Sequence, residues 1–187
     1  PSSRRPDYPL QRGALTADVV IVGGGLTACA TAYAMAADGV KVVLIEAERI
    51  GRGETAASSG LVLQDPGVDF CDVEALYGLR EARRIFQSVH RAALDFGATL
   101  RRLRIECGLD ARELARVALA PEDEKRLRRE WQGRKGAGLE AVFLRARQAR
   151  ARLQIERGGA LQTRGHARLD PYRACLGLAR AAAARDA

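Results

Sequence analysis

Two histidines, one tryptophan and an aromatic content of 5% leave this 187-residue chain with little of the usual equipment of acid–base catalysis. His90 and His166 are too few and too far apart in sequence to build a site by pattern. No Ser/His/Asp set, no metal-ligand spacing and no pair of catalytic carboxylates can be assembled, so neither a catalytic nor a metal-binding residue is expected. No apolar run approaches the roughly 18 residues of a membrane-spanning helix. Residues 1–12 (PSSRRPDYPLQR) contain no apolar core of a secretory signal. A soluble, cytoplasmic protein is the expectation.

Cys29, Cys71, Cys107 and Cys175 are scattered without a CxxC spacing, so reduced packing thiols are expected rather than a metal site or a disulfide framework. Lysine is scarce as well: Lys41, Lys125 and Lys135 are the only ones, and the remaining positive charge is arginine. The net charge is +8, but the cations are interleaved with acids, as in Glu122, Asp123 and Glu124 beside Lys125, Arg126, Arg128 and Arg129. That pattern describes a solvated helix face, and no nucleic-acid partner is expected.

What the sequence does hold is concentrated between Val19 and Glu46 (VVIVGGGLTACATAYAMAADGVKVVLIE). Val19–Val22 is an unbroken β-branched run, as in a parallel strand covered on both faces. Gly23 permits a tight turn from strand to helix, and Gly25 offers no side chain to block a diphosphate from the helix N-terminus. Ala28 takes the last position of G-x-G-x-x-G/A, where a methyl still allows close packing of helix on strand. The following helix is built almost entirely of small residues and ends at Gly39. Val42–Ile45 forms a second strand, and Glu46 stands at its tip, about 20 residues past the glycines, where an acid can hold ribose hydroxyls. A 2′-phosphate would be repelled there. Strand, glycines, helix, strand and acid together predict a dinucleotide-binding βαβ unit.

Residues 47–60 (AERIGRGETAASSG) read as a polar loop, longer and richer in glycine than an NAD-binding domain usually has. Thr55, Ser58 and Ser59 could offer hydroxyls to phosphates or to a ring system. At this point the sequence resembles a known family. GGGLTACATAYAMAADGVKVVLIEAERIGRGETAASSGLV is similar to the N-terminal end of FAD-dependent amine and amino-acid oxidoreductases of the D-amino acid oxidase superfamily, especially the glycine oxidase and sarcosine oxidase branch. GHARLDPYRACLGLARAAAARDA resembles the later G-x-x-x-[LV]-D-P helix of that family.

The resemblance implies an α/β fold: a Rossmann-like FAD-binding βαβ domain with an incomplete parallel sheet, joined to part of an α+β substrate domain. It implies FAD as the cofactor, with Gly23, Gly25, Leu26 and Thr27 at the diphosphate and Glu46 and Ala47 at the adenosine. Arg52, Glu54, Thr55, Ser59, Gly60 and Leu61 would line the path toward the isoalloxazine. The implied reaction is hydride transfer from a small amine or amino acid to the flavin. An NAD-linked dehydrogenase and a non-catalytic flavin-binding or assembly module remain as alternatives.

The domain boundaries expected are an N-terminal tail (1–17), the FAD-binding unit with flavin loop and following helix (18–98), a partial substrate or cap domain (99–165), and a helix returning to the FAD-binding domain (166–187). The chain starts without methionine and shows only two central strands. It is therefore expected to be the N-terminal part of a longer enzyme, holding FAD poorly and inactive by itself, with its oligomeric state open.

Later in the chain, apolar spacing from Val73 through Leu76, Leu79, Ala82, Ile85, Phe86, Val89, Ala93 and Phe96 predicts a helix. His90 is placed beside that stripe as a partly buried packing residue. Residues 114–120 are read as strand on the family resemblance. Pro121 is placed at helix position N1. A helix is expected over Leu139–Leu153, an exposed strand carrying His166 over Ala160–Leu169, and a final helix capped by Asp170 that packs on the same sheet as the first.

Overall fold

The computed structural model describes residues 8–187, so the first seven residues of the expected tail lie outside it. In chain order the elements are β1 (Val19–Val22), α1 (Leu26–Ala37), β2 (Val42–Ile45), α2 (Glu54–Ala57), β3 (Leu61–Val62), α3 (Phe70–Arg102), β4 (Asp110–Val117), α4 (Pro121–Gly136), β5 (Val142–Leu144), α5 (Ala146–Leu153), β6 (Ala160–Arg168) and α6 (Pro171–Ala183). They fall into two compact units. Among the described residues the first comprises 8–61, 97–109 and 169–187; the second comprises 62–96 and 110–168.

In the first unit β1 and β2 pair in parallel, Val19 opposite Val42 through Val22 opposite Ile45. Small residues let α1 lie close to its neighbours: Cys29 and Ala32 are wholly buried, and Tyr33 is the one large side chain in its buried set. Gly39, at φ +82°, ends the helix as its left-handed cap. At the other end of the unit Asp170 accepts from the Arg173 N–H and starts α6 with Pro171 in first position.

Two expectations are corrected here. The β1 strand is not covered on both faces, since Val20 is 56% and Val22 85% exposed. The pair β1 and β2 stands as a two-stranded sheet, so one face is left open. And α6 packs on α1 and α2 rather than on that sheet. Its buried stripe of Ala174, Cys175, Leu178, Ala179 and Ala182 meets the small-residue face of α1. Leu178 adds about 1.5–3 kcal/mol to that burial.

The second unit is built round β6, which is the middle of its sheet and not an exposed strand. β4 runs antiparallel to it, from Asp110 opposite Arg168 to Val117 opposite Ala160, with an irregularity between Arg112 and Leu114. β5 pairs antiparallel on the opposite edge, Val142 facing Gln162. The polar residues of β6 that suggested exposure, Gln162, Thr163 and His166, are buried. β4 begins four residues earlier than the expected strand and ends at Val117. β5 was not expected at all: the helix placed over Leu139–Leu153 is a short strand followed by α5.

α3 is interrupted at Gly78 (φ +78°), which resets the phase of its apolar stripe. Leu76 and Leu79 are therefore exposed, while Ala82 and Phe86 are buried. His90 is exposed too, not part of the packed face. The start of α3 is fixed by a buried carboxylate. Glu130, 1% exposed, accepts from the N–H groups of Phe70 (2.8 Å) and Cys71 (3.1 Å) and from Arg134 Nε (2.6 Å). Arg134 also reaches Asp65 at 3.4 Å and lies over the Phe86 ring. α4 opens as expected, with Pro121 first and Asp123 Oδ2 accepting from the N–H groups of Leu119 and Ala120.

Candidate functional site

The candidate site lies within the first unit, where β1 turns into α1. Gly23 adopts φ +100°, a conformation closed to most side chains, and its N–H donates to the Ile45 carbonyl at 2.7 Å. Gly25 is the N-cap of α1. Its N-cap residue has no side chain to cap it and no acid stands in its first turn, so the positive end of its dipole is left largely open to an anion. Leu26 N–H is not part of that opening, because it donates to Thr55 Oγ1 at 2.9 Å.

Glu46 reaches this turn directly. Its Oε2 accepts from Gly24 N–H at 2.5 Å and its Oε1 from Glu48 N–H at 2.9 Å. Those backbone donors, Glu48 first and Gly24 next, hold the carboxyl below the usual glutamate range, so it is ionised at neutral pH. The next peptide unit is held as well, the Gly24 carbonyl accepting from Gly51 N–H at 2.8 Å and from Cys175 Sγ at 3.4 Å.

The remaining residues singled out from sequence divide into two groups. Thr55 is buried in α2, a single helical turn inside what was expected to be a plain loop, and its hydroxyl is spent on α1. Gly60 is buried at φ +70°, where an added Cβ would run into the Leu169 carbonyl, so it closes the loop against the start of α6. Thr27, Ala47, Glu54, Ser59 and Leu61 are exposed. Arg52 is exposed and within 3.5 Å of Glu48, a weak surface pair. Sequence reasoning missed Gly24, whose hypothetical Cβ would stand 2.5 Å from Ile50 Cδ1 and 3.0 Å from Glu46 Oε2. The middle glycine of the row was the available signal, hidden because the motif leaves that position free.

A separate concavity of about 340 Å³ lies in the second unit, lined by Asp65, Asp69, Asp72, Arg116 and Arg126 among others. Burial raises Asp69, but the guanidinium groups of Arg116 and Arg126, bonded at 2.5 and 2.6 Å, outweigh it and hold the carboxyl low. Its charges satisfy one another. Among the described residues no group of His, Cys, Asp or Glu is placed to hold a metal ion, and no helix is long and apolar enough to cross a membrane.

Comparison with known proteins gives the arrangement its context. Residues 18–187 match the profile of the FAD dependent oxidoreductase (DAO) family. Gamma-glutamylputrescine oxidoreductase of Escherichia coli (strain K12) is 31% identical over 93 residues, which is 50% of this chain and 22% of that protein. Glycine oxidase from Geobacillus kaustophilus superposes with a TM-score of 0.70 at 22% identity, covering 91% of this chain and 45% of the other. L-alpha-glycerophosphate oxidase from Mycoplasma pneumoniae, solved with FAD bound, gives 0.67 at 22% identity, over 92% of this chain and 44% of that one. The chain thus spans about a fifth of the curated relatives it matches and less than half of these solved structures. Its α/β architecture, with a Rossmann-like βαβ unit, is that of these neighbours, and the chain belongs to the family of FAD-dependent oxidoreductases.

Proposed function

We propose that the first unit is the flavin-binding part of an oxidoreductase acting on an amine or amino acid, and that the second unit is part of its substrate domain. One observation carries the flavin reading: an ionised acid at the tip of β2 and the uncapped N-terminus of α1 meet at one glycine turn, through the Gly24 N–H. The residues suit an adenosine diphosphate moiety. Around Gly23 no atom lies within 4 Å of an added Cβ, and at Gly25 the nearest is Thr55 Oγ1 at 3.4 Å, so the backbone can be approached closely.

In this reading the N–H groups at the start of α1 and the exposed hydroxyl of Thr27 hold the diphosphate. Glu46 accepts from the ribose hydroxyls on the lone pairs that Gly24 and Glu48 leave free, and Ala47 lies beside the adenosine. Phosphate charge is met chiefly by the backbone and the helix dipole. Ser59, Gly60 and Leu61 continue the path toward the ring. FAD, when bound, supplies the two-electron acceptor, and the share of this chain is to orient it. The amine reading is supported by the name of the E. coli relative and by the glycine oxidase fold.

The test is a titration of the chain with FAD and, in parallel, with NADH, followed by quenching of flavin or enhancement of nicotinamide fluorescence. Saturable FAD binding that Glu46→Gln weakens supports the reading; binding of NADH alone would overturn it. Substrate class is read from anaerobic bleaching of the FAD-loaded full-length gene product. Amines or amino acids should bleach it, and a response confined to alcohols or phosphate esters would refute that part. Retention of FAD with no bleaching by any of them would favour the assembly module.

A further inference from the structure

Beneath the glycine turn two thiols from opposite ends of the chain face each other. Cys29 comes from α1 and Cys175 from α6, both wholly buried, with their sulfur atoms 3.6 Å apart. Each also lies within reach of the Gly24 carbonyl, at 3.7 and 3.4 Å. We propose that Cys29 and Cys175 are an oxidisable dithiol, a modification site whose disulfide form joins α1 to α6 and loosens the Gly24 peptide on which the nucleotide turn depends. The second half of that statement rests on the flavin reading given above; the first half does not.

The geometry asks for little movement. A disulfide needs its sulfur atoms about 2.05 Å apart, so the pair must close by about 1.5 Å, a side-chain adjustment. The hydrogen bond with Cys175 and burial keep the Cys29 thiol protonated, well above its ordinary range. The same bond draws Cys175 below its ordinary value against the effect of burial, which makes Cys175 the better nucleophile of the two. Glu46 opposes ionisation of both thiols, and Tyr8, whose hydroxyl also feels Arg180, lies close enough to both thiols to feel them.

The oxidant is a peroxide. The Cys175 sulfur attacks one oxygen of hydrogen peroxide, the O–O bond breaks, and a sulfenic acid and one water result. The Cys29 sulfur then displaces that oxygen as a second water and the S–S bond forms. Two thiols give up two electrons and two protons, and one peroxide takes them. Because both sulfurs are buried, the water-sized oxidant reaches them through fluctuations of the unit, and the reaction is slow. Once the bond exists, no thiol proton is left for the Gly24 carbonyl, which keeps the Gly51 N–H.

The experiment is a hydrogen peroxide titration of the chain, with circular dichroism showing that it stays folded. Alkylation and non-reducing peptide mapping follow, and FAD affinity is measured before and after. The expected result is a peptide linked through Cys29 and Cys175, reversed by dithiothreitol, a higher melting temperature, and FAD binding weakened about fivefold. Recovery of Cys29 and Cys175 as free thiols, or their linkage to Cys71 or Cys107 instead, overturns the dithiol. A Cys29–Cys175 bond with unchanged FAD affinity overturns its link to the turn. If the untreated, reduced chain binds no FAD, it is the flavin reading that fails, and the peptide map still decides the dithiol. Cys175→Ser should abolish the linked peptide, and peroxide should then leave the FAD affinity of that variant where it stood before treatment; a loss of about fivefold on peroxide in the variant as well would overturn the link between the disulfide and the turn.

Discussion

Gly25→Ala separates packing from function at the turn. The new methyl would meet only Thr55 Oγ1, at 3.4 Å, an ordinary contact, and Gly25 sits at φ −77° and ψ 175°, which alanine adopts freely. Exchanging glycine for alanine at an N-cap costs less than about 1 kcal/mol, so the urea midpoint should barely move. FAD affinity should move a great deal. The methyl stands between the helix end and the diphosphate and would remove at least one charge-assisted hydrogen bond, of about 1.5–3 kcal/mol, which is roughly a ten- to hundredfold loss. Gly24→Ala is the contrast. Its methyl is driven against Ile50 Cδ1 and Glu46; the Ile50 tip can rotate away, but Glu46 is held by two backbone donors. Stability should then fall by about 1–3 kcal/mol together with binding. Flavin fluorescence titration and urea denaturation of both variants make the test. If Gly25→Ala binds FAD as wild type does, no diphosphate lies on that helix end and the reasoning fails.

Glu130→Ala should destabilise the second unit by about 3–5 kcal/mol, because it strands two N–H groups and the Arg134 guanidinium in a buried place; Glu130→Gln, which keeps one acceptor, should cost about half as much. Urea denaturation followed by tryptophan fluorescence at Trp131 reads both, and a Glu130→Gln variant as stable as wild type would show that the charge is irrelevant. His166 accepts from Gln64 N–H on Nδ1 and shares a bond with Thr163 Oγ1 on Nε2; burial lowers its pKa from the ordinary 6.5. The unfolded chain therefore binds the proton first, so stability is full above about pH 6.5 and falls as pH drops toward the lower folded value. His166→Gln should flatten the urea midpoint between pH 7.5 and 5.5, and a slope unchanged by that substitution would rule the histidine out. Gly60→Ala, at φ +70° and against the Leu169 carbonyl, should cost more than about 2 kcal/mol, whereas Gly136→Ala, in the last turn of α4 with open space around it, should be nearly silent or slightly stabilising.

The βαβ unit was legible because its signals are local and agree with one another: a β-branched run, glycines, a small-residue helix, a second run and an acid. Asp170 and Pro171 announced α6 for the same reason. What escaped sequence reasoning depended on pairing partners far along the chain. Val142, Phe143 and Leu144 continue an apolar pattern that suits a helix, and only β6 makes them a strand. Gln162, Thr163 and His166 look like a wetted strand, yet each is buried with a hydrogen-bond partner, such as Glu113 for Gln162 and His166 for Thr163. Gly78 alone moved Leu76 and Leu79 off the packed stripe, a break that residue spacing does not reveal.

The three consecutive glycines show how far a motif can be read without coordinates. Gly23 is glycine because of its backbone, at φ +100° with nothing near an added methyl. Gly24 is glycine because of its neighbours, Ile50 and Glu46, which come from beyond the second strand. Gly25 has neither reason: its backbone is ordinary and the space beside it accepts a methyl. A residue that the fold does not require to be small, placed at an open helix end beside an ionised acid, is explained by something outside the chain that must come close. The argument for a bound diphosphate therefore rests less on the pattern of glycines than on the one position where the protein's own packing gives no account of it.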